Sequence, residues 1–153
     1  MASLQNNLKL SESGYKKKLK IFLSENKLYN AAICYNDLGN IYLHNKNFKK
    51  AISFYKKALN LKQIDHIVLD NLGTAYRESD NVKKAISFYK KALKINSKYD
   101  LSLLNLEFSL MKTCDWKKIK KYNFKNYSKT PFMSIITEDD PPRNFQTSKK
   151  FSQ

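Results

Sequence analysis

Eleven residues, Lys49-Lys50-Ala51-Ile52-Ser53-Phe54-Tyr55-Lys56-Lys57-Ala58-Leu59, recur without change as Lys83 to Leu93, an offset of 34. The same offset relates Leu38-Gly39 to Leu72-Gly73 and Tyr42 to Tyr76. A period of this length marks a chain built from stacked supersecondary units. Within the twin segment Ala51, Phe54, Tyr55, Ala58 and Leu59 recur at the spacing of one helix face, with the lysines largely off it. Just upstream, Ile33, Leu38, Ile41 and Tyr42 form a second apolar helical stripe. Between them His44-Asn45-Lys46-Asn47 is a polar break, with Asn47 placed to cap the second helix. The unit is therefore helix A, a short turn and helix B. Neither helix buries its stripe alone, so the units must stack. With 3 glycines and 3 prolines in 153 residues, the chain suits helices joined by short connections and an all-α fold.

The register assigns unit 1 to residues 31–64 and unit 2 to 65–98. A degenerate third unit follows at 99–123. Leu103, Leu106 and Leu110 continue its spacing, but Glu107 takes the glycine position and Ile119 an alanine position. Trp116 stands 34 residues after Val82, and Asp115 follows Asn81 and Asn47 as the expected cap of a last helix B. Residues 1–30 read as a degenerate helix B, with Tyr15, Leu19, Phe22 and Leu23 packing under 31–45 and Lys16-Lys17-Lys18 as a solvated face. Residues 124–153 read as a non-repeat tail.

Tyr35, Leu38, Gly39, Tyr42, Ala51, Tyr55 and Ala58 resemble the 34-residue pattern of the tetratricopeptide (TPR) repeat family, as do Leu69, Leu72, Gly73, Tyr76, Ala85, Tyr89 and Ala92. Gln63 and Ser97 replace the family's closing proline. The resemblance implies a right-handed superhelical stack of antiparallel helix pairs, an α-solenoid, followed by an irregular tail. It also implies binding of an extended peptide or partner protein along the concave helix-A face.

After the array come Cys114-Asp115-Trp116, a basic stretch, Pro131-Phe132, and Glu138-Asp139-Asp140-Pro141. This order resembles the junction between repeats and catalytic lobes in O-linked N-acetylglucosamine transferase-like (bacterial, SPINDLY-type) proteins. Those lobes need several hundred residues, and residues 1–153 contain no Gly-rich phosphate loop. The alternative reading is thus a truncated or decayed N-terminal part of such a glycosyltransferase, retaining its substrate-recognition repeats but no activity.

The same resemblance singles out the residue before each core leucine, where the family carries an asparagine ladder that grips a polypeptide backbone. It falls on Asn71 and Asn105, with Asp37 as a rung that only accepts when ionised. Asn40 and Thr74 extend that surface, and Arg77 is placed to hold a carboxylate.

Catalytic chemistry finds no constellation. His44 and His66 stand 22 residues apart without a ligand cluster, and Asp139-Asp140 reads as a turn before proline. Cys34 and Cys114 read as reduced, partly buried thiols of a cytoplasmic protein. No catalytic residue, metal or cofactor is expected. No apolar run reaches the length of a membrane span, and Met1 to Lys20 contains no signal-type core.

The net charge of +16 raises nucleic acid as a partner. Two features argue against it: only Arg77 and Arg143 among 29 basic residues are arginine, and the lysines are spread along the chain. Two full units and two partial ones are near the minimum for a stable solenoid, so self-association through exposed end faces is also expected.

Overall fold

The computed structural model describes residues 2–61 and 65–115. The helix B expected from Trp116, the tail at 124–153 and the turn position Gln63 lie outside them. The described residues form six helices: α1 (Ala2–Ser24), α2 (Leu28–His44), α3 (Phe48–Asn60), α4 (His66–Glu78), α5 (Val82–Ile95) and α6 (Asp100–Lys112). They alternate as the period requires, α2, α4 and α6 being A helices and α3 and α5 B helices. The fold is an all-α stack of antiparallel pairs.

Each A helix ends in the same turn. The helix closes at His44, Glu78 or Lys112, and two residues later Lys46, Asp80 and Cys114 take φ of 57°, 62° and 53°. The amide after each reaches back across the last turn: Asn47 to Tyr42 O at 2.8 Å, Asn81 to Tyr76 O at 2.8 Å, Asp115 to Leu110 O at 3.0 Å. This is a Schellman closure, which satisfies carbonyls that a helix end leaves unpaired. Asn47 and Asn81 then start the B helices, their side chains accepting from the amides of Lys50 (3.2 Å) and Lys84 (3.4 Å).

The glycines allow each pair to close. A Cβ on Gly73 would sit 2.6 Å from the ring of Tyr89, and one on Gly39 would collide with Tyr55 in the same way. Both tyrosines are fully buried, as are Leu38, Ala51, Ala58, Ala85 and Ala92. A leucine hidden this completely contributes about 1.5–3 kcal/mol. Beside each Gly–Tyr contact, an A-helix tyrosine stacks on a B-helix phenylalanine: Tyr42 on Phe54 at 5.2 Å and Tyr76 on Phe88 at 5.4 Å, both within 7° of parallel.

The units stack through α3–α4 and α5–α6. In addition α2 meets α4 and α4 meets α6, whereas α3 and α5 make no comparable contact. The stack therefore closes up on the A side, which is its inner, concave side.

Three sequence expectations need correction. Ile33 is 45% exposed and does not join the buried stripe. It stands nine residues from Tyr42, which at 3.6 residues per turn is two and a half turns, and so points the opposite way. Leu23 on α1 is likewise exposed, while Tyr15, Leu19 and Phe22 are half-buried. Cys34 is buried, but Cys114 is exposed in its turn. Burial pushes the Cys34 thiol's pKa up, which keeps it protonated and unreactive.

Candidate functional site

The A helices meet through polar side chains that reach one residue beyond the repeat register. Asn71 Nδ2 donates to Asn36 Oδ1 at 2.9 Å. One unit on, Asn105 Nδ2 donates to both oxygens of Asp70 at 3.3 and 3.2 Å, and Ser102 Oγ donates to Asp70 at 2.7 Å. Arg77 closes the second set by donating from Nη1 to Asn105 Oδ1 at 2.8 Å. At the other end Tyr15 of α1 and Asn36 stand beside Asp37 and favour its charged form. The Asp70 carboxylate thus terminates a chain of hydrogen bonds that runs from Arg77 through Asn105. Burial pushes the pKa of both Asp37 and Asp70 up, against the partners that hold it down.

All six residues that the sequence singles out lie on the A helices, and each is engaged. Asn71 and Asn105 spend their amide donors between helices. Asn40 accepts the Tyr55 hydroxyl at 2.7 Å, and Thr74 lies 3.3 Å from the Tyr89 hydroxyl. These are the outlets for two otherwise buried phenols, and burial pushes the pKa of Tyr89 up to about 12. Besides Asn105, Arg77 binds Glu78 at 3.3 Å and lies over the Phe108 ring at 5.6 Å. His66 opens α4 against Asp65 and lies edge-on to Tyr99 at 4.7 Å, and His44 closes α2.

What the sequence reading missed on this face is apolar. Ile33, Ile67 and Leu101 occupy one equivalent position in the three A helices and remain 45%, 41% and 54% exposed. Leu104 and Phe108 continue the row along α6, and Tyr29 flanks it at the start of α2. Between α2 and α4 a cleft of about 250 Å³ is lined by Tyr29, Ile33, Asn36, Asp65 and Ile67. The signal was available: an apolar residue recurs every 34 positions at 33, 67 and 101, yet is out of phase with the core. Exposed apolar patches of this kind mark interaction surfaces. Among the described residues no helix is long and apolar enough to cross a membrane.

Comparison with known proteins agrees with this architecture. The tetratricopeptide repeat profiles match residues 32–63 and 66–99. No curated protein sequence matches the chain. Among solved structures, the chain superposes on the Sgt2 TPR domain from Aspergillus fumigatus with a TM-score of 0.61 at 22% identity, covering 78% of this chain and 82% of that one. It superposes on YrrB, described as a TPR protein with an unusual peptide-binding site, with a TM-score of 0.64 at 22% identity, covering 91% of this chain and 63% of that one. Residues 32–63 and 66–99 are tetratricopeptide repeats, and the helices around them continue the same solenoid.

Proposed function

We propose that the chain is a protein-interaction scaffold that seats an extended peptide across the concave A-helix face. The carrying observation is the exposed row Ile33, Ile67 and Leu101 beside the cleft between α2 and α4. A ligand apolar side chain entering that cleft meets Ile33 and Ile67, with Asn36 and Asp65 at its rim to bond the ligand backbone. Asn71 and Asn105 stand on the same face. Their commitment to Asn36 and Asp70 makes them a rigid floor, and a ligand that reads them does so by sharing or displacing those bonds. Affinity then comes from apolar contacts, and the amides set the register. The YrrB likeness supports a peptide ligand by fold alone.

The test is a peptide selected from a displayed random library on the wild-type chain. Its affinity is then measured against Ile67→Glu and the Asn71→Ala/Asn105→Ala double variant, with helicity checked by circular dichroism. At least a tenfold loss with Ile67→Glu and a smaller loss with the double variant is expected. Unchanged binding by both, with helicity intact, sinks the proposal.

The second reading, a recognition piece of a glycosyltransferase-like protein, draws on one observation. The third A helix and its turn keep the register through Cys114 and Asp115, where the resembled junction begins. A transferase reading frame directly downstream of the gene favours it, and an isolated gene counts against it.

A further inference from the structure

The lysines are scattered in sequence but not in space. Every exposed position of α3 is Lys49, Lys50, Ser53, Lys56, Lys57 or Asn60. Those of α5 are Lys83, Lys84, Ser87, Lys91, Lys94 and the terminal Ile95. Neither helix contains an acid. The exposed positions of α2, α4 and α6 instead carry Tyr29, Ile33, Asn40, Glu78, Leu104, Phe108 and similar residues, with Lys112 as their one lysine. A compositional bias toward lysine would act on the exposed positions of both helix types alike. The segregation therefore removes the objection that the charge is merely spread along the chain.

The B-helix lysines are also held. Lys50 lies over the Tyr42 ring at 5.0 Å and Lys57 over Phe54 at 5.2 Å. One unit on, Lys84 lies over Tyr76 at 5.4 Å and Lys91 over Phe88 at 5.0 Å. Each stacked Tyr–Phe pair thus carries an ammonium on either side. Lys50 and Lys57, like Lys84 and Lys91, stand seven residues apart, about 10.5 Å along the helix at 1.5 Å per residue. The described ion pairs of α1, Glu12–Lys16, and of the A side, Arg77–Glu78 and Lys112–Asp80, leave these four out, though Glu12 acts on Lys50 at longer range. Four preoriented cations in two repeat-related pairs form a lattice that loses little side-chain freedom on binding a polyanion.

We infer that the α3–α5 face binds the phosphate backbone of nucleic acid without reading its sequence. Lysines act as point charges and contribute position rather than base recognition. The rings beside them are already stacked on one another, so they offer no platform for bases. An anionic membrane is the less favoured polyanion, because none of the large exposed apolar residues lies on α3 and only Ile95, at the end, lies on α5. These lysines stand on the B helices and the peptide reading uses the exposed apolar row of the A helices, so the inference stands independently of it.

The test is fluorescence anisotropy of the full chain with a random-sequence 20-base-pair duplex between 50 and 300 mM salt, with anionic phospholipid vesicles as a parallel probe. Binding should be sequence-independent. Lys50→Gln/Lys57→Gln/Lys84→Gln/Lys91→Gln should weaken it at least tenfold at 100 mM salt and flatten the log–log salt slope by about three to four, at roughly 0.9 per lost contact. The corresponding four Lys→Arg changes should keep it. Ser53→Glu/Ser87→Glu, which adds an acid at the centre of each stripe, should weaken it even if the glutamine variant fails to fold. Absent duplex binding overturns the inference. So does binding that survives both charge variants but is lost in Lys117→Gln/Lys118→Gln/Lys120→Gln/Lys121→Gln, or a preference for vesicles over duplex.

Discussion

In the units at 31–64 and 65–98 a glycine on helix A faces a fully buried tyrosine on helix B; on α6 the same position is Glu107. The register that gives Tyr55 and Tyr89 falls next on Asn123, which lies outside the described residues, so in sequence neither the glycine nor the tyrosine is kept. Glu107 is 1% exposed, and among the described residues its Oε1 has no hydrogen-bond partner. Yet all three units end helix A in the same left-handed turn, at Lys46, Asp80 and Cys114. The backbone plan of the repeat thus persists where its side-chain lock has been replaced. A turn needs only local geometry, whereas a lock needs two helices to change together.

The largest test of this contrast is Gly73→Ala. Its Cβ would meet the Tyr89 ring at 2.6 Å, and the ring is fully buried, so a loss of up to about 3 kcal/mol is expected in chemical denaturation. A neutral result would mean that the Gly–Tyr contact is not what separates the first two units from the third. Next in size is Glu107→Gln. Burial pushes the Glu107 pKa up, so the folded state prefers the protonated acid. The stability this contributes is fully present below the unfolded-state pKa and is lost as pH rises through the folded one. Asp37 and Asp70 are shifted in the same direction by burial, and Glu12, held down by Lys16 and Tyr42, opposes them. Thermal melts across pH 4 to 8 should show wild-type stability falling as pH rises, with the variant about 1–2 kcal/mol more stable at neutral pH and equal at the acid end. A gain that does not depend on pH would assign the effect to packing.

Smallest are the turn substitutions. An L-residue at positive φ costs about 1 kcal/mol, least for Asp. Lys46→Gly should therefore stabilise by about 0.5–1 kcal/mol, and Asp80→Gly by less. Cys114→Gly should behave like Lys46→Gly if the third turn is equivalent; destabilisation there would end the comparison.

Much of this architecture was legible in the sequence, because a helix pair is encoded by local periodicity. The 34-residue register placed Asn47 and Asn81 as caps and set Gly39 and Gly73 at equivalent positions, which the fold uses for close approach. The candidate site was legible only by position. Asn71 and Asn105 fall on the A side, but their partners Asn36 and Asp70 stand 35 residues earlier and become neighbours only when units stack. Nucleic-acid binding by the lysines was discounted for a related reason: they are spread along the chain, and only the fold separates the surfaces of α3 and α5 from those of the A helices. Ile33 was misread because an apolar residue next to a core stripe looks like part of it until its angle around the helix is worked out.

The A-helix bonds advance by 35 residues while the sequence repeats every 34, so one unit can offer an acceptor forward and an amide backward at adjacent positions. Unit 2 carries both kinds, Asp70 facing onward and Asn71 facing back. A second copy of residues 65–98 spliced after the first would present Asn71 to the preceding Asp70 and a new Asp70 to Asn105. Tandem duplication of this one block therefore keeps the amide–carboxylate bond at each joint, with Val68 standing at the new one where Ser102 now donates to Asp70. The identical eleven-residue segments of α3 and α5 fit a chain that has grown by such copying.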